Sequence, residues 1–567
     1  MLLTESRPAL LVAAIATLLA LGLSFPLVAH LSQAVYGPPL DNIGSSAVYW
    51  NWLYALQHGR SPFDNRMWGV PFGAGWEQVP FSALQVLVSL PLTALVGPTA
   101  AFNLEILSGF GLTALATFGL ARRLGMPSVP SAFAALAFTF APFHVMQSME
   151  HLGESHLEFL SGFLYFAVRW RQEASSRFAV GAGAVLGLSA WLDPTLTYLL
   201  LPAAASFLIA SLVAAGGGRW RDLRSRAGDH ARALLVTAGV AVLFLPVFAL
   251  FWRRPGSGGY QGGLAGAAGT LQRPISEVVW YSARLPDYVL PWHDNPLTPP
   301  SVRAFEEALP GNFFESSLFL GYTVMALALV GLIWGRGVFV RLLPGLLALT
   351  GFLMSLQPYP HLLGVPLVAP SALLYRVLPF FRVYSRFGVL VLLGCVLLAG
   401  LGMAVLQSRL RAGRRRWLLA IPFALLAIEF NNLPPSRVTQ MYPAPQEYVW
   451  LSAQPAGTLV EYPLAPSGLP DGGEPQLRTY QYYQQVHRHP MLNGDRLPGG
   501  ALDAARELTT YYGPGVSAKL QSLGVRYVFV HRSRYRAEGF QVPREVPGLR
   551  HVASFGDVDV FEPGTAG

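Results

Sequence analysis

The chain has 567 residues, 52% of them hydrophobic and 13% charged, with mean hydropathy +0.40 and a formal net charge of +9. Apolar runs of about 16–22 residues recur along it, the length a helix needs to cross a bilayer, so the composition excludes a soluble single domain and reads as a polytopic membrane protein. From residue 434 onward there are 12 Lys or Arg and 12 Asp or Glu, so the positive excess sits in the membrane part and no basic stripe marks a nucleic-acid binder.

The first run, residues 10–31, is too long for a signal-peptide core and is preceded only by Arg7, so it reads as an uncleaved first span with the N-terminus in the cytoplasm. The loop that follows, 32–98, opens with Asp41 after "GPP" and continues as a helical pattern over 45–57 carrying Tyr49, Trp50, Trp52 and Tyr54. Locally, Asp41 reads as the N-cap of a juxtamembrane helix and the aromatics as an interfacial belt.

Arginine clusters at 122–123, 169–177, 219–232, 336–341 and 409–416 separate the later apolar runs. All five fall on the cytoplasmic side if "FSALQVLVSLPLTALVG" (81–97) lies in the interface or re-enters, a reading favoured by its short length and by Pro91 at its centre. The expected spans are then 10–31, 99–121, 128–143, 157–170, 178–192, 195–214, 233–252, 316–335, 341–356, 387–407 and 417–433, about eleven in all. The outer face carries the loops 32–98, 144–156, 253–315 and 357–386. The expected fold class is an all-α polytopic membrane domain, 1–433, followed by a small extracytoplasmic α/β domain, 434–567, with strands at 458–464, 525–531 and 558–563 and helices at 501–511 and 516–523.

Three further stretches carry candidate chemistry. "HVMQSMEHLGESH" packs His144, Glu150, His151, Glu154 and His156 between two spans. On a helix, Glu150 and Glu154 share one face and suit a common substrate site or a divalent cation. Because the histidine spacing is not that of a zinc site, a general-acid or hydroxyl-binding role is preferred. "LLYRVLPFFRVYSRFG" (373–388) places Arg376, Arg382 and Arg386 on the outer side. There they either snorkel to headgroups or grip the phosphate of a lipid-linked donor. "TYQYYQQVHRHPMLNGD" (479–495) gathers Tyr483, His487 and Asn493, which reads either as a sugar-binding surface or as a polar loop.

The order of these parts resembles the GT-C glycosyltransferases, among them the protein O-mannosyltransferases and the lipid A aminoarabinose transferase. It is similar above all to a group of large bacterial membrane proteins. The residues that carry the resemblance are Asp41 with Trp50 and Trp52, "SPFDNRMWGVPFG" (61–73), "APFHVMQSMEHLGESH" (141–156), "LPFFRVYSRFG" (378–388) and "VEYPL…YQYYQQVHRHPMLNG" (460–494). The resemblance implies a polyprenyl-phosphate-linked sugar donor, a glycan, lipid or protein acceptor, transfer on the outer face of a bacterial inner membrane, and Asp41 as the base. The second-loop acid is ambiguous, since Glu150 and Glu154 both fit it. The rival reading is a non-catalytic transporter, flippase or assembly factor for lipid-linked sugars. It expects internal repeats and acids buried mid-span, and neither is visible.

Overall fold

The computed structural model describes residues 2–62, 65–73, 82–215, 235, 239, 273–291, 295–296, 298–362, 365–379, 381–410, 416–431, 437–464, 473–494, 499–537 and 543–564. The expected span at 233–252 falls almost wholly outside these residues, as do the arginines of 219–232. The chain divides into two compact units. One comprises Met1–Val28, Glu105–Ala249 and Leu271–Arg437, and the other Ala29–Leu104, Leu250–Thr270 and Val438–Gly567.

The first unit is helical. Among the described residues four helices are long and apolar enough to cross a bilayer: Pro98–Arg123, which begins in the second unit, Thr195–Ala214, Val338–Ser355 and Tyr384–Arg409. Ser128–Thr139 and Pro142–Ser148, bent by 46°, make a fifth if they are counted as one broken span. The chain is therefore a multi-pass membrane protein.

Several boundaries differ from the sequence reading. The first helix, Leu2–Leu23, ends well short of residue 31, because Pro26 follows and cannot continue a helix. The run expected at 316–335 is helical only over Tyr322–Trp334, starting after Gly321, whose φ of +81° lies outside helical geometry. The 157–170 run is the helix Glu158–Glu173, only 16 residues long, and the 417–433 run is the helix Ala420–Glu429.

The helix Gly388–Arg409 is the centre of this unit, with every residue from Gly388 to Gly394 and from Val396 to Met403 buried. It meets Tyr322–Trp334 backbone to backbone. A Cβ on Gly402 would stand 2.0 Å from the Leu327 carbonyl oxygen, and one on Gly331 2.0 Å from that of Leu398. Close approach of this kind is how membrane helices gain packing energy where lipid offers no hydrophobic drive.

The second unit is built on a four-stranded sheet in the order Thr458–Tyr462, Val525–His531, Val558–Pro563, Leu549–Phe555. The first pair is parallel and the other two antiparallel. A parallel pair needs a long crossover, and it is made by the helices Gly473–His487, Gly499–Glu507 and Val516–Ser522. Thr458–Tyr462 is buried along its whole length, as a strand covered on both faces should be. Val460, Leu492, Ala505, Leu520, Val528 and Phe561 form part of its core. Two elements differ from expectation: Leu549–Phe555 is a fourth strand, and "TYQYYQQVH" is helix rather than loop.

The same unit takes in the first outer loop. Ala34–Tyr36 pairs antiparallel with Val438–Gln440. Met67 and Val70 exchange backbone hydrogen bonds with Met491, at 2.8 and 3.0 Å, and the Trp68 indole donates to Gln484 Oε1 at 2.7 Å. The helix Ala83–Val96 contains Pro91 and has 14 residues, about 21 Å at 1.5 Å per residue, which is shorter than the hydrocarbon core.

Candidate functional site

Asp41 is the first residue of the helix Asp41–Gln57, and the N-cap is Leu40. The capping role expected from sequence is thus corrected: no side chain caps this helix, and the Asp41 carboxylate instead meets Arg478 Nη1 at 2.5 Å. The aspartate side chain is 41% exposed and that of Arg478 only 12%, so the carboxylate is held from one side and open on the other. Gly44, one turn further along, makes room for the partner, since a Cβ there would lie 3.0 Å from Arg478 Cγ.

The approach to Asp41 is fixed by two buried asparagines. Asn42 donates to the Tyr36 carbonyl at 2.5 Å and accepts from the Leu40 N–H at 3.1 Å. Asn103 accepts from the Tyr36 N–H at 3.1 Å and donates to the carbonyls of Leu31 and Ala34 at 2.8 and 2.7 Å. Irregular backbone near a membrane needs such partners, because every unpaired buried group costs about 1–3 kcal/mol.

The second cluster lies in the helical unit and centres on Arg386, which is 8% exposed. Its Nε and Nη2 donate to Glu315 at 3.0 and 2.7 Å, and its Nη1 contacts Glu154. Glu154 and Glu315 are each no more than 3% exposed. His151 completes the ring of contacts. Its Nδ1 lies 2.7 Å from Gln147 Oε1, which can only accept, and its Nε2 lies 3.3 Å from Arg386 Nη2, which can only donate. The imidazole therefore carries its proton on Nδ1. Gln147 in turn donates to Glu315 at 3.0 Å.

Glu150 and Glu154 do not share a helix face as expected. The helix Pro142–Ser148 stops before both, and Glu154 sits in the short 3-10 turn Gly153–Ser155. Glu150 Oε2 stands 3.9 Å from His151 Nδ1, whereas Glu154 goes to Arg386, so the two acids adjoin one cluster through different partners. His156 is buried between acids, with Nδ1 2.7 Å from Glu158 Oε1 and Nε2 3.6 Å from Glu105 Oε1. Asp193 caps the helix Pro194–Ala215 by accepting from the Thr195 N–H at 2.6 Å.

Comparison with known proteins gives structural likeness without sequence likeness: no protein-family model and no curated protein matches the chain. Among solved structures, the chain is similar to the arabinofuranosyltransferase AftD from mycobacteria, with TM-score 0.59 and 16% identity over 99% of this chain and 40% of that one. It is also similar to the oligosaccharyltransferase of Archaeoglobus fulgidus in complex with Zn and sulfate, with TM-score 0.50 and 12% identity over 98% of this chain and 73% of that one. The chain has the GT-C fold. It spans less than half the length of AftD. A structure of ArnT from Cupriavidus metallidurans bound to undecaprenyl phosphate matches at TM-score 0.49 and 13% identity over 99% of this chain and 98% of that one.

Within this GT-C fold the other expected site residues are placed as follows. Arg376 is exposed in the last turn of Ser371–Val377. Arg382 has a side chain 32% exposed, contacts Glu277, and lies 4.8 Å over the Tyr281 ring. Arg386 is instead fully engaged by carboxylates. Tyr483, His487 and Asn493 are buried, not presented on a surface. Tyr483 stacks on Tyr448 at 4.7 Å and donates to the Met441 carbonyl at 3.2 Å. Burial, with His489 adding, pushes the His487 imidazole down to about 3, so it is neutral and its Nδ1 accepts from the His489 N–H at 3.0 Å. Asn493 accepts from the Glu461 N–H at 2.8 Å and donates to the Glu461 carbonyl at 2.9 Å, tying its segment to the sheet edge.

Among the described residues no group of three or more His, Cys, Asp or Glu is arranged to hold a metal ion. Of the two acids considered from sequence for a divalent cation, Glu154 is engaged by the Arg386 guanidinium and Glu150 lies beside His151.

The Glu154 carboxyl is pushed up to about 8 by burial, reinforced by Asp193 and Glu315 and opposed by Arg386. The folded state thus holds this proton more tightly than the unfolded chain, whose ordinary value is 4.5. Its contribution to stability is fully present below about 4.5 and is lost as pH rises through about 8. Unfolding midpoints measured from pH 5 to 9 should therefore fall more steeply for the wild type than for Glu154→Gln; parallel curves would remove Glu154 as the titrating group.

Proposed function

We propose that this chain is a membrane glycosyltransferase that moves a sugar from a polyprenyl-phosphate carrier to an envelope acceptor on the outer face of a bacterial inner membrane. The observation that supports it most directly is Asp41. It is a half-open carboxylate, at the start of the first helix after the N-terminal apolar one, held by an arginine whose side chain is only 12% exposed, in a chain of GT-C fold. In this reading Asp41 takes the proton of the acceptor hydroxyl as that oxygen attacks the anomeric carbon from the face opposite the leaving phosphate, inverting the centre. Arg376 and Arg382, the more accessible guanidinium groups of the 373–388 stretch, are suited in their own unit to bind a lipid phosphate. The topology that goes with this reading has about eleven spans, the N-terminus inside, and residues 434–567 outside.

Mass spectrometry of a deletion strain tests the proposal. Envelope glycan should lose one class of sugar substitution while the polyprenyl-linked form of that sugar accumulates, and the intact gene should restore both. Unchanged glycans together with an unchanged lipid-linked pool would overturn it.

A further inference from the structure

The second unit contains an open cavity of about 270 Å³ that none of the residues discussed as base or phosphate ligands lines. Its walls come from the turn between Ala83–Val96 and Pro98–Arg123, from the Met441–Ala444 segment, and from one side of the helix Gly473–His487. Every lining residue is uncharged. A phosphate, carboxylate or ammonium ligand would enter without a counter-charge, which desolvation makes costly.

What the cavity offers is aromatic surface and neutral hydrogen-bonding groups. Tyr442 lines it and is 60% exposed. Tyr482 OH and Thr99 Oγ1 share one hydrogen bond of 2.8 Å, and the Tyr482 hydroxyl also bonds the Gln485 side chain, so the capacity left for a ligand is mainly on the Thr99 hydroxyl and the rest of the Gln485 amide. Gln485 adds an amide beside the Tyr482 hydroxyl. The helix Pro98–Arg123 begins at this wall, and the first-turn N–H groups of Thr99 and Ala100 have no partner within the helix. The Tyr483 hydroxyl is spent on the Met441 carbonyl and contributes only its ring edge.

An aromatic face flanked by planar amide, hydroxyl and backbone donors, with no net charge, matches a neutral sugar ring. A sugar has one apolar face of C–H groups and a rim of hydroxyls. The volume lies just below the range of roughly 300–1,000 Å³ usual for ligand sites, room for one or two rings and not for a long chain. We propose that this cavity is a binding subsite for a neutral saccharide of the acceptor glycan, with Tyr442 as the stacking platform and Gln485 and the Thr99–Tyr482 pair as hydroxyl partners. The inference rests on the glycosyltransferase reading for the word acceptor, but the binding itself can be tested without turnover.

The test uses the full chain in nanodiscs and saturation-transfer NMR with a panel of neutral methyl glycosides of pyranose and furanose mono- and disaccharides. At least one should receive saturation at its ring protons. Tyr442→Ala and Gln485→Ala should each weaken that binding about fivefold or more, the scale of one lost stacking or hydrogen-bonding contact. Asp41→Asn, which removes the proposed base outside the cavity, should bind as the wild type does. Absence of signal for every saccharide, equal binding in both cavity variants, or loss of the signal when polyprenyl monophosphate is added to the nanodisc would each overturn the proposal. Failure of the glycosyltransferase reading would show instead as no transfer by the wild-type chain from a polyprenyl-phosphate-linked sugar, with saccharide binding at Tyr442 unaffected.

Discussion

Asp41→Asn should lower sugar transfer by about 10²- to 10⁴-fold, the usual worth of a positioned general base, while leaving the protein folded. The substitution is nearly isosteric, and the amide oxygen can still accept from Arg478, whose contact with Asp41 is 2.5 Å. The two asparagines that hold the segment do so through Tyr36, Leu31, Ala34 and Leu40, and none of those bonds involves the Asp41 carboxylate. Turnover of a lipid-linked donor and a thermal melt on the same preparation separate chemistry from folding. Asp41→Glu is the sharper control, because it keeps the charge and moves it by about one methylene, and positioned catalysis is sensitive to displacement on that scale. Transfer at the wild-type rate in Asp41→Asn would take the aspartate out of the reaction. A collapsed melt with lost transfer would make Asp41 chiefly a fastening for Arg478.

Arg386→Leu should destabilise the helical unit by about 3–5 kcal/mol, the cost of removing one partner from a buried ion pair and leaving the other charge uncompensated. Here the Glu315 carboxylate, its side chain 4% exposed, is stranded, and the Glu154 carboxyl, 1% exposed and already pushed up to about 8, loses its guanidinium partner. Arg386→Lys should recover only part of the loss. An ammonium reaches one carboxylate well, whereas the guanidinium donates to Glu315 through Nε at 3.0 Å and Nη2 at 2.7 Å and to Glu154 through Nη1. Combining Arg386→Leu with Glu154→Gln and Glu315→Gln should restore much of the stability, since the stranded Glu315 charge and the unpartnered Glu154 acid are then gone. Unfolding midpoints for the four proteins decide the matter. A single variant Arg386→Leu as stable as the wild type would mean that the carboxylates find another counter-ion.

What could be read from the sequence follows a physical division. Apolar runs and their breaks are local, so most membrane helices are foreseen, and the miss at residues 24–31 came from reading hydropathy past Pro26. Asp41 and the Glu154–Arg386 stretch stand out because charge is scarce near a bilayer. Their partners do not. Glu154 and Arg386 lie 232 residues apart, and neither Glu315 nor Arg478 carries any local mark of its pairing. The Gly473–His487 helix is not foreseen, since the stretch reads from sequence either as a sugar-binding surface or as a polar loop. Its buried face, Leu477, Tyr480, Gln481, Gln484 and His487, has helical spacing once tyrosine, glutamine and histidine are admitted as interior residues. The same stretch was marked for sugar binding on its tyrosines. Most of those rings are structural, and only the side bearing Tyr482 and Gln485 borders open space.

The pairing of the first loop with the strand Val438–Gln440 sets a timetable for biogenesis. Thr439 Oγ1 donates to the Gly37 carbonyl across 402 residues of chain. At synthesis rates of about 5–20 residues per second, the Ala34–Tyr36 edge waits roughly 20–80 s after its own translation for the strand that will cover it. During that interval the loop carrying Asp41 is an unpaired edge beside the nascent bundle, open to association with other extended chains. Asp41 thus gains its arginine only in the last quarter of translation, so the catalytic carboxylate of this reading is assembled after nearly every membrane helix has already been made.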